Sequence, residues 1–207
     1  MKEHFVITVG REYGSGGRAI AKLVAQKLNV PFYDKELLTL AAQKSGICQE
    51  IFEHNDEKTT VSDMLPVTAG TGFGAGVGLG LQMPMNQRVF LAQFEVITNL
   101  AKEQSCVIVG RCADYVLRAE KNCYHFFLHA PLEKRMERAV KEYGQEADNI
   151  KSTVLKHDKA RANYYYHYTN QKWGDAKLYD MTLDTTRTGV EGSVKMLLHY
   201  LETVRAI

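Results

Sequence analysis

The sequence predicts a three-layer α/β/α fold around a five-stranded parallel sheet. Two patterns carry that expectation. Short apolar runs rich in β-branched residues alternate with longer stretches of helical spacing. A glycine-rich loop, Gly10–Arg18, follows the first apolar run and opens the first helical stretch. Strands that return in one direction need crossovers, and helices supply them, so the alternation implies helices on both faces of the sheet.

The elements follow in order. Phe5–Val9 reads as a buried strand, and Arg18–Leu28 as an amphipathic helix with Ile20, Leu23, Val24 and Leu28 on one side. Val30–Tyr33 is a second strand, and Pro31 keeps its start extended. Asp34 stands where the helix Lys35–Lys44 wants an N-cap. Thr59–Pro84 carries glycine at 70, 72, 74, 76, 78 and 80. Its composition suits a flexible loop, and a hinge or flap over a substrate is the functional alternative.

Asn86–Glu103 returns to helical spacing, and Cys106–Val109 is the third strand. A short helix over Ala113–Arg118 and a fourth strand, Tyr124–His129, come next. Leu132–Tyr143 begins after Pro131, an accepted first-turn residue, and Asn149–Tyr168 is a long helix. After a loop over Lys172–Ala176, Tyr179–Leu183 is the fifth strand and Gly189–Val204 the closing helix. The loops after the strands, at Gly10–Gly17, Asp34, Gly110–Asp114 and Asp184–Thr188, then converge on the carboxyl rim of the sheet, where such folds bind ligands. The expected organisation is one domain over 1–207, with 59–84 as a glycine-rich insertion.

Bulk properties exclude some classes of function. A net charge of +2 gives no general attraction to nucleic acid or membrane, so an anion site has to be local. No run of about 18 apolar residues is present to span a membrane. Four cysteines without a CxxC pair predict reduced thiols in a cytoplasmic protein. Zinc on Cys106, Cys112 and Cys123 has irregular ligand spacing against it. His125 and His129 share a strand face, where packing competes with a metal pair. Tyr164, Tyr165 and Tyr168 recur at helical spacing, which favours core packing over stacking on nucleic-acid bases.

The loop Gly10-Arg11-Glu12-Tyr13-Gly14-Ser15-Gly16-Gly17-Arg18 carries the chemistry. Glycines let backbone N–H groups approach an anion, and the helix N-terminus adds about half a positive charge. A tight turn without a ligand is the plainer alternative. Against the phosphate-loop pattern GxxxxGK[ST], the lysine position is Gly17 and the Ser/Thr position is Arg18. Arg18 and Arg11 are the nearest cations, and Ser15 offers a hydroxyl.

The string VGREYGSGGRAIAKLVAQKL with PFYDKELL resembles the opening of the cytidylate kinase-like family. The later VIVGRCADYVL, DKARANYYYHYT and WGDAKLYDMTLDTT are similar to that family's pattern too, so the resemblance covers nearly the whole chain. It implies a P-loop NTPase-type kinase fold with a helical lid and acceptor region. It also implies ATP as phosphoryl donor, Mg²⁺, and a small-molecule nucleotide acceptor, CMP or dCMP.

By position, the resemblance places the donor phosphates on Gly14, Ser15, Gly16, Gly17 and Arg18, and the adenine near Thr185. It places the acceptor on Asp34, Arg111 and Asp114, and the transition state beside Asp158, Arg161, Arg138 and Arg135. Val109 stands where an aspartate helps to hold Mg²⁺ in cytidylate kinases, so the metal ligands stay unassigned. Two other readings remain open: a non-catalytic nucleotide- or phosphate-binding module, and a P-loop kinase for another small acceptor.

Overall fold

The computed structural model describes residues 4–55, 84–204 and 206–207. The expected glycine-rich insertion, apart from Pro84, lies outside the described residues. Five strands form a wholly parallel sheet: β1 (Val6–Arg11), β2 (Phe32–Tyr33), β3 (Cys106–Val109), β4 (Cys123–His129) and β5 (Met181–Asp184). Their order is β2-β3-β1-β4-β5, which puts the first strand in the centre. The chain moves to one side of β1 for β3 and β2 and to the other for β4 and β5. A crevice therefore opens where the loops after β1 and β3 part.

The described helices are α1 (Gly17–Leu28), α2 (Glu36–Ser45), α3 (Gln49–Asn55), α4 (Met85–Glu103), α5 (Ala113–Val116), α6 (Leu132–Tyr143), α7 (Ile150–Thr169) and α8 (Thr185–Thr203). On one face of the sheet, Ile20 and Val24 of α1 and Leu197 and Leu201 of α8 bury against Ile7, Val9, Val107 and Phe126. On the other, α2 and α4 pack Leu37, Leu38, Val96 and Ile97 against Val6, Cys106 and Ile108. Alternate residues of β1 thus serve opposite layers, as the pleat requires.

Several boundaries differ from the sequence reading for local reasons. β1 runs on through Gly10 and Arg11, because both residues pair with β4 opposite Phe127 and Leu128. The sharp loop therefore begins at Glu12. β5 starts at Met181 rather than Tyr179, after a 3₁₀ turn over Ala176–Leu178. Helix α8 begins at Thr185, capped by Asp184, whose carboxylate accepts the Thr186 N–H at 2.8 Å. It kinks at Gly189, where φ is 61°.

Tyr164 and Tyr165 are buried, and Tyr168 stacks on Phe90 at 3.9 Å, so this aromatic run packs α7 against α4. His125 accepts or donates a 2.7 Å hydrogen bond with Thr8 inside the sheet. Among the described residues no group of three His, Cys, Asp or Glu side chains could hold a metal ion. No described helix is long and apolar enough to cross a membrane.

Candidate functional site

The loop between β1 and α1 takes its shape from two left-handed glycines, Gly14 at φ 80° and Gly16 at φ 81°. A Cβ on Gly14 would lie 2.5 Å from the Arg135 carbonyl oxygen, so only glycine fits between this turn and α6. Ser15 is fully buried. Its hydroxyl donates to the Glu12 carbonyl at 2.8 Å and accepts the Gly17 N–H at 3.3 Å. The Thr185 hydroxyl donates to the Ser15 carbonyl at 2.6 Å and so ties the end of β5 to the loop.

Behind the loop, α6 and α7 clamp it. Arg135 is buried and pairs with Asp158; its Nε donates to the Ala130 carbonyl at 2.9 Å and lies 3.3 Å from Glu12. Asp158 also accepts the Tyr13 N–H at 2.8 Å, and Glu12 accepts the Ala130 N–H at 3.1 Å. Arg138 donates to the Gly14 carbonyl at 2.9 Å and sits 3.5 Å from Glu142. Tyr13 stacks on His157 at 4.2 Å, and Arg161 donates to the Arg11 carbonyl at 3.3 Å. A carboxylate between a backbone N–H and a guanidinium holds both in fixed positions.

In front of the loop, Asp34 gathers three arginines. Arg18 Nε is 2.5 Å from its Oδ2, Arg111 Nη1 donates to its Oδ1 at 3.1 Å, and Arg11 Nη2 lies 3.9 Å from the same oxygen. The carboxylate is nearly buried, with Glu36 accepting the Asp34 backbone N–H at 3.0 Å. Burial alone would raise the Asp34 carboxyl; the charges of Arg111 and Arg11 and the hydrogen bonds from Arg18 and Arg111 outweigh it and hold the group below its ordinary range. Asp34 is therefore not the N-cap of α2, which begins at Glu36 after Lys35.

Arg111 reaches this hub because the turn after β3 is left-handed over three residues, with φ of 73°, 54° and 55° at Gly110, Arg111 and Cys112. Asp114 does not join it. Its carboxylate accepts the Tyr165 hydroxyl at 2.7 Å, and burial pushes its pKa up.

An open cleft of about 390 Å³ lies over the loop, between Tyr13, Gly14, Gly17, Arg18 and Lys22 on one side and Tyr143 and Arg161 on the other. Its volume falls in the usual range for small-molecule sites, roughly 300–1,000 Å³. Lys22 and Tyr143 are residues that the sequence reading did not single out, and Glu12 and Tyr13 entered it only as members of the loop. Lys22 had a legible signal, since it lies one helical turn beyond Arg18.

The lysine position of the loop is closed to lysine. A Cβ on Gly17 would stand 2.6 Å from the Arg11 Cβ. The turn at the helix N-terminus and the arginine excess beside it are chemistry suited to a phosphate group. Mg²⁺ finds no comparable fit among the described residues: Ser15 is committed to the loop backbone, Asp34 to arginines, and Glu12 to Ala130 and Arg135.

A glycine turn at a helix N-terminus, fed by the central strand of a parallel sheet, defines a P-loop-type α/β protein. The shikimate kinase of Bacteroides thetaiotaomicron shares this fold, with a TM-score of 0.54 at 17% identity over 96% of this chain and 98% of that one. The chain belongs to the cytidylate kinase-like family, whose pattern matches residues 6–187. It is 22% identical to the cytidylate kinase of Methanocaldococcus jannaschii over 97% of this chain and 99% of that protein. An uncharacterized protein from Eubacterium ventriosum has a TM-score of 0.70 at 26% identity, covering 96% of this chain and 99% of the other.

Proposed function

We propose that this protein transfers the γ-phosphoryl group of ATP to a nucleoside monophosphate, with CMP or dCMP the first acceptor to test. The observation that carries the proposal is the cleft over the glycine loop, lined by Arg11 and Arg18, two of the three arginines that share the Asp34 carboxylate. The family and the curated relative support it.

In this reading an acceptor phosphate oxygen attacks the γ-phosphorus, and the bond to the β,γ-bridging oxygen breaks as ADP leaves. Catalysis is then positioning and charge neutralisation. Backbone N–H groups of the Gly14–Arg18 turn other than those of Ser15 and Gly17 orient the donor, and Thr185 holds the loop through Ser15. Arg18 and Arg161 face the cleft and offset charge on the transferring oxygens. Asp34 positions Arg18 and Arg111 for the acceptor side. Asp114 holds the Tyr165 hydroxyl beside Arg111, in the lining of the same small cavity. Asp158, Arg138 and Arg135 act through the loop backbone and are positioning residues. Mg²⁺ would add charge neutralisation on the triphosphate, and we assign it no protein ligand.

A second reading, a nucleotide-binding module without turnover, is favoured by the Arg11 wall at Gly17 and by Val109. A coupled assay of ADP release separates the two, with ATP, Mg²⁺ and each nucleoside monophosphate in turn. Turnover with CMP above the acceptor-free rate is the expected result. ATP binding without turnover on any acceptor would favour the binding module, and turnover only on a different small compound would move the protein to another acceptor class.

A further inference from the structure

We propose that Lys22 supplies the cationic contact to the donor phosphates that position 17 does not. This inference rests on the reading of the cleft as an ATP site. The two residues at the lysine and hydroxyl positions of the motif are both disqualified from the simple replacement. Gly17 is walled in by the Arg11 side chain, 2.6 Å from where its Cβ would stand. The guanidinium of Arg18 is held by Asp34 at 2.5 Å and lies over the Phe32 ring at 5.9 Å from its centroid.

Lys22 lies four residues on from Arg18 in α1, on the same helix face, and it lines the same cleft as Gly14, Gly17 and Arg18. Four residues of helix rise about 6 Å. Side chains on a helix lean toward its N-terminus, so a lysine stem of about that length brings its ammonium back over the turn before its own Cα. That turn begins at the phosphate cradle. Lys22 is exposed and enters no ion pair or hydrogen bond among the described residues. A compact, strongly hydrated ammonium on a flexible stem suits a phosphate that arrives and leaves.

Lys27 provides the control. It is also an exposed lysine of α1, in the last turn, and it does not line the cleft. Loss of general attraction for an anion would affect both lysines alike, whereas a direct contact concerns Lys22 alone.

The test is titration calorimetry of ATP into the native protein and into Lys22→Met, Lys22→Arg and Lys27→Met, with thermal melts to establish folding. Lys22→Met should weaken ATP binding about ten- to a hundredfold, the size of a lost charged hydrogen bond. Lys22→Arg should recover most of it, and Lys27→Met should leave it unchanged. Equal weakening in Lys22→Met and Lys27→Met, or native affinity in Lys22→Met, would overturn the Lys22 contact while the ATP reading stands. Failure of the native protein to bind ATP would overturn that reading and the Lys22 contact with it.

Discussion

The two sides of the glycine loop hold their arginines in different company. Behind it, Arg135 and Arg138 face Glu12, Asp158 and Glu142, and their guanidiniums also donate to loop carbonyls. In front of it, Arg11, Arg18 and Arg111 share Asp34. The rear arginines are buried or nearly so, whereas the Arg18 side chain is 55% exposed. A cation buried among matched carboxylates is a structural strut. Cations in excess, with one open to solvent, keep part of their charge available for an anion.

The largest test of that difference is Arg135→Ala. Removing it leaves the Asp158 carboxylate and three backbone or acidic acceptors without their donor, at a cost of about 3–5 kcal/mol, typical of breaking a buried pair from one side. Urea unfolding measures this loss; a change below about 1 kcal/mol, as for a surface pair, would erase the contrast between the two sides.

Gly14→Ala comes next. The left-handed φ of 80° and the contact 2.5 Å from the Arg135 carbonyl should together cost roughly 2–3 kcal/mol and loosen the loop from α6. Its melting temperature and its affinity for ATP should fall together.

Asp34→Asn should cost about 1–2 kcal/mol at neutral pH, because an amide oxygen still accepts hydrogen bonds but lacks the charge. Its sharper signature is pH. The folded-state pKa of Asp34 lies below the unfolded value of 3.8, so its stabilisation is complete above that value and is lost as pH falls through the folded value. Thermal melts between pH 6 and pH 2 should therefore converge for native protein and variant at the acid end. A constant gap at every pH would mean that Asp34 acts by packing rather than by charge.

Thr185→Val is the smallest. It keeps the shape and removes the donor to the Ser15 carbonyl, for about 1 kcal/mol. Hydrogen exchange at Gly16 and Gly17 should report the loosened loop before global stability does.

Much of this architecture was legible in the sequence. β-branched runs mark the strands, and the spacing of Ile20, Val24 and Leu28 marks α1, because periodicity records burial directly. The loop was legible from its glycines and its place between strand and helix. The partners of its charged residues were not. Arg18 and Asp34 meet because β2 returns to the edge beyond β3, and no local pattern encodes which carboxylate a long arginine finds. Asp34 had an N-cap alternative that only the start of α2 at Glu36 removes. Asp158 and Arg161 read as one helix face, yet one pins the Tyr13 N–H and the other the Arg11 carbonyl, a division set by the docking of α7 on the loop.

The central place of β1 bears on how the chain is made as well as on what it binds. Val6 pairs with Cys106 on one side and Cys123 on the other, so β1 waits about a hundred residues for its first strand neighbour and longer for its second. At about 5–20 residues per second, that wait lasts roughly 5–20 s. Throughout it, Val6, Ile7 and Val9 lack their strand neighbours, and the glycine loop has no sheet to hang from. The segment that bears the phosphate cradle is thus translated well before the strands that secure it, and a chaperone shortage should strike the cradle before the rest of the fold.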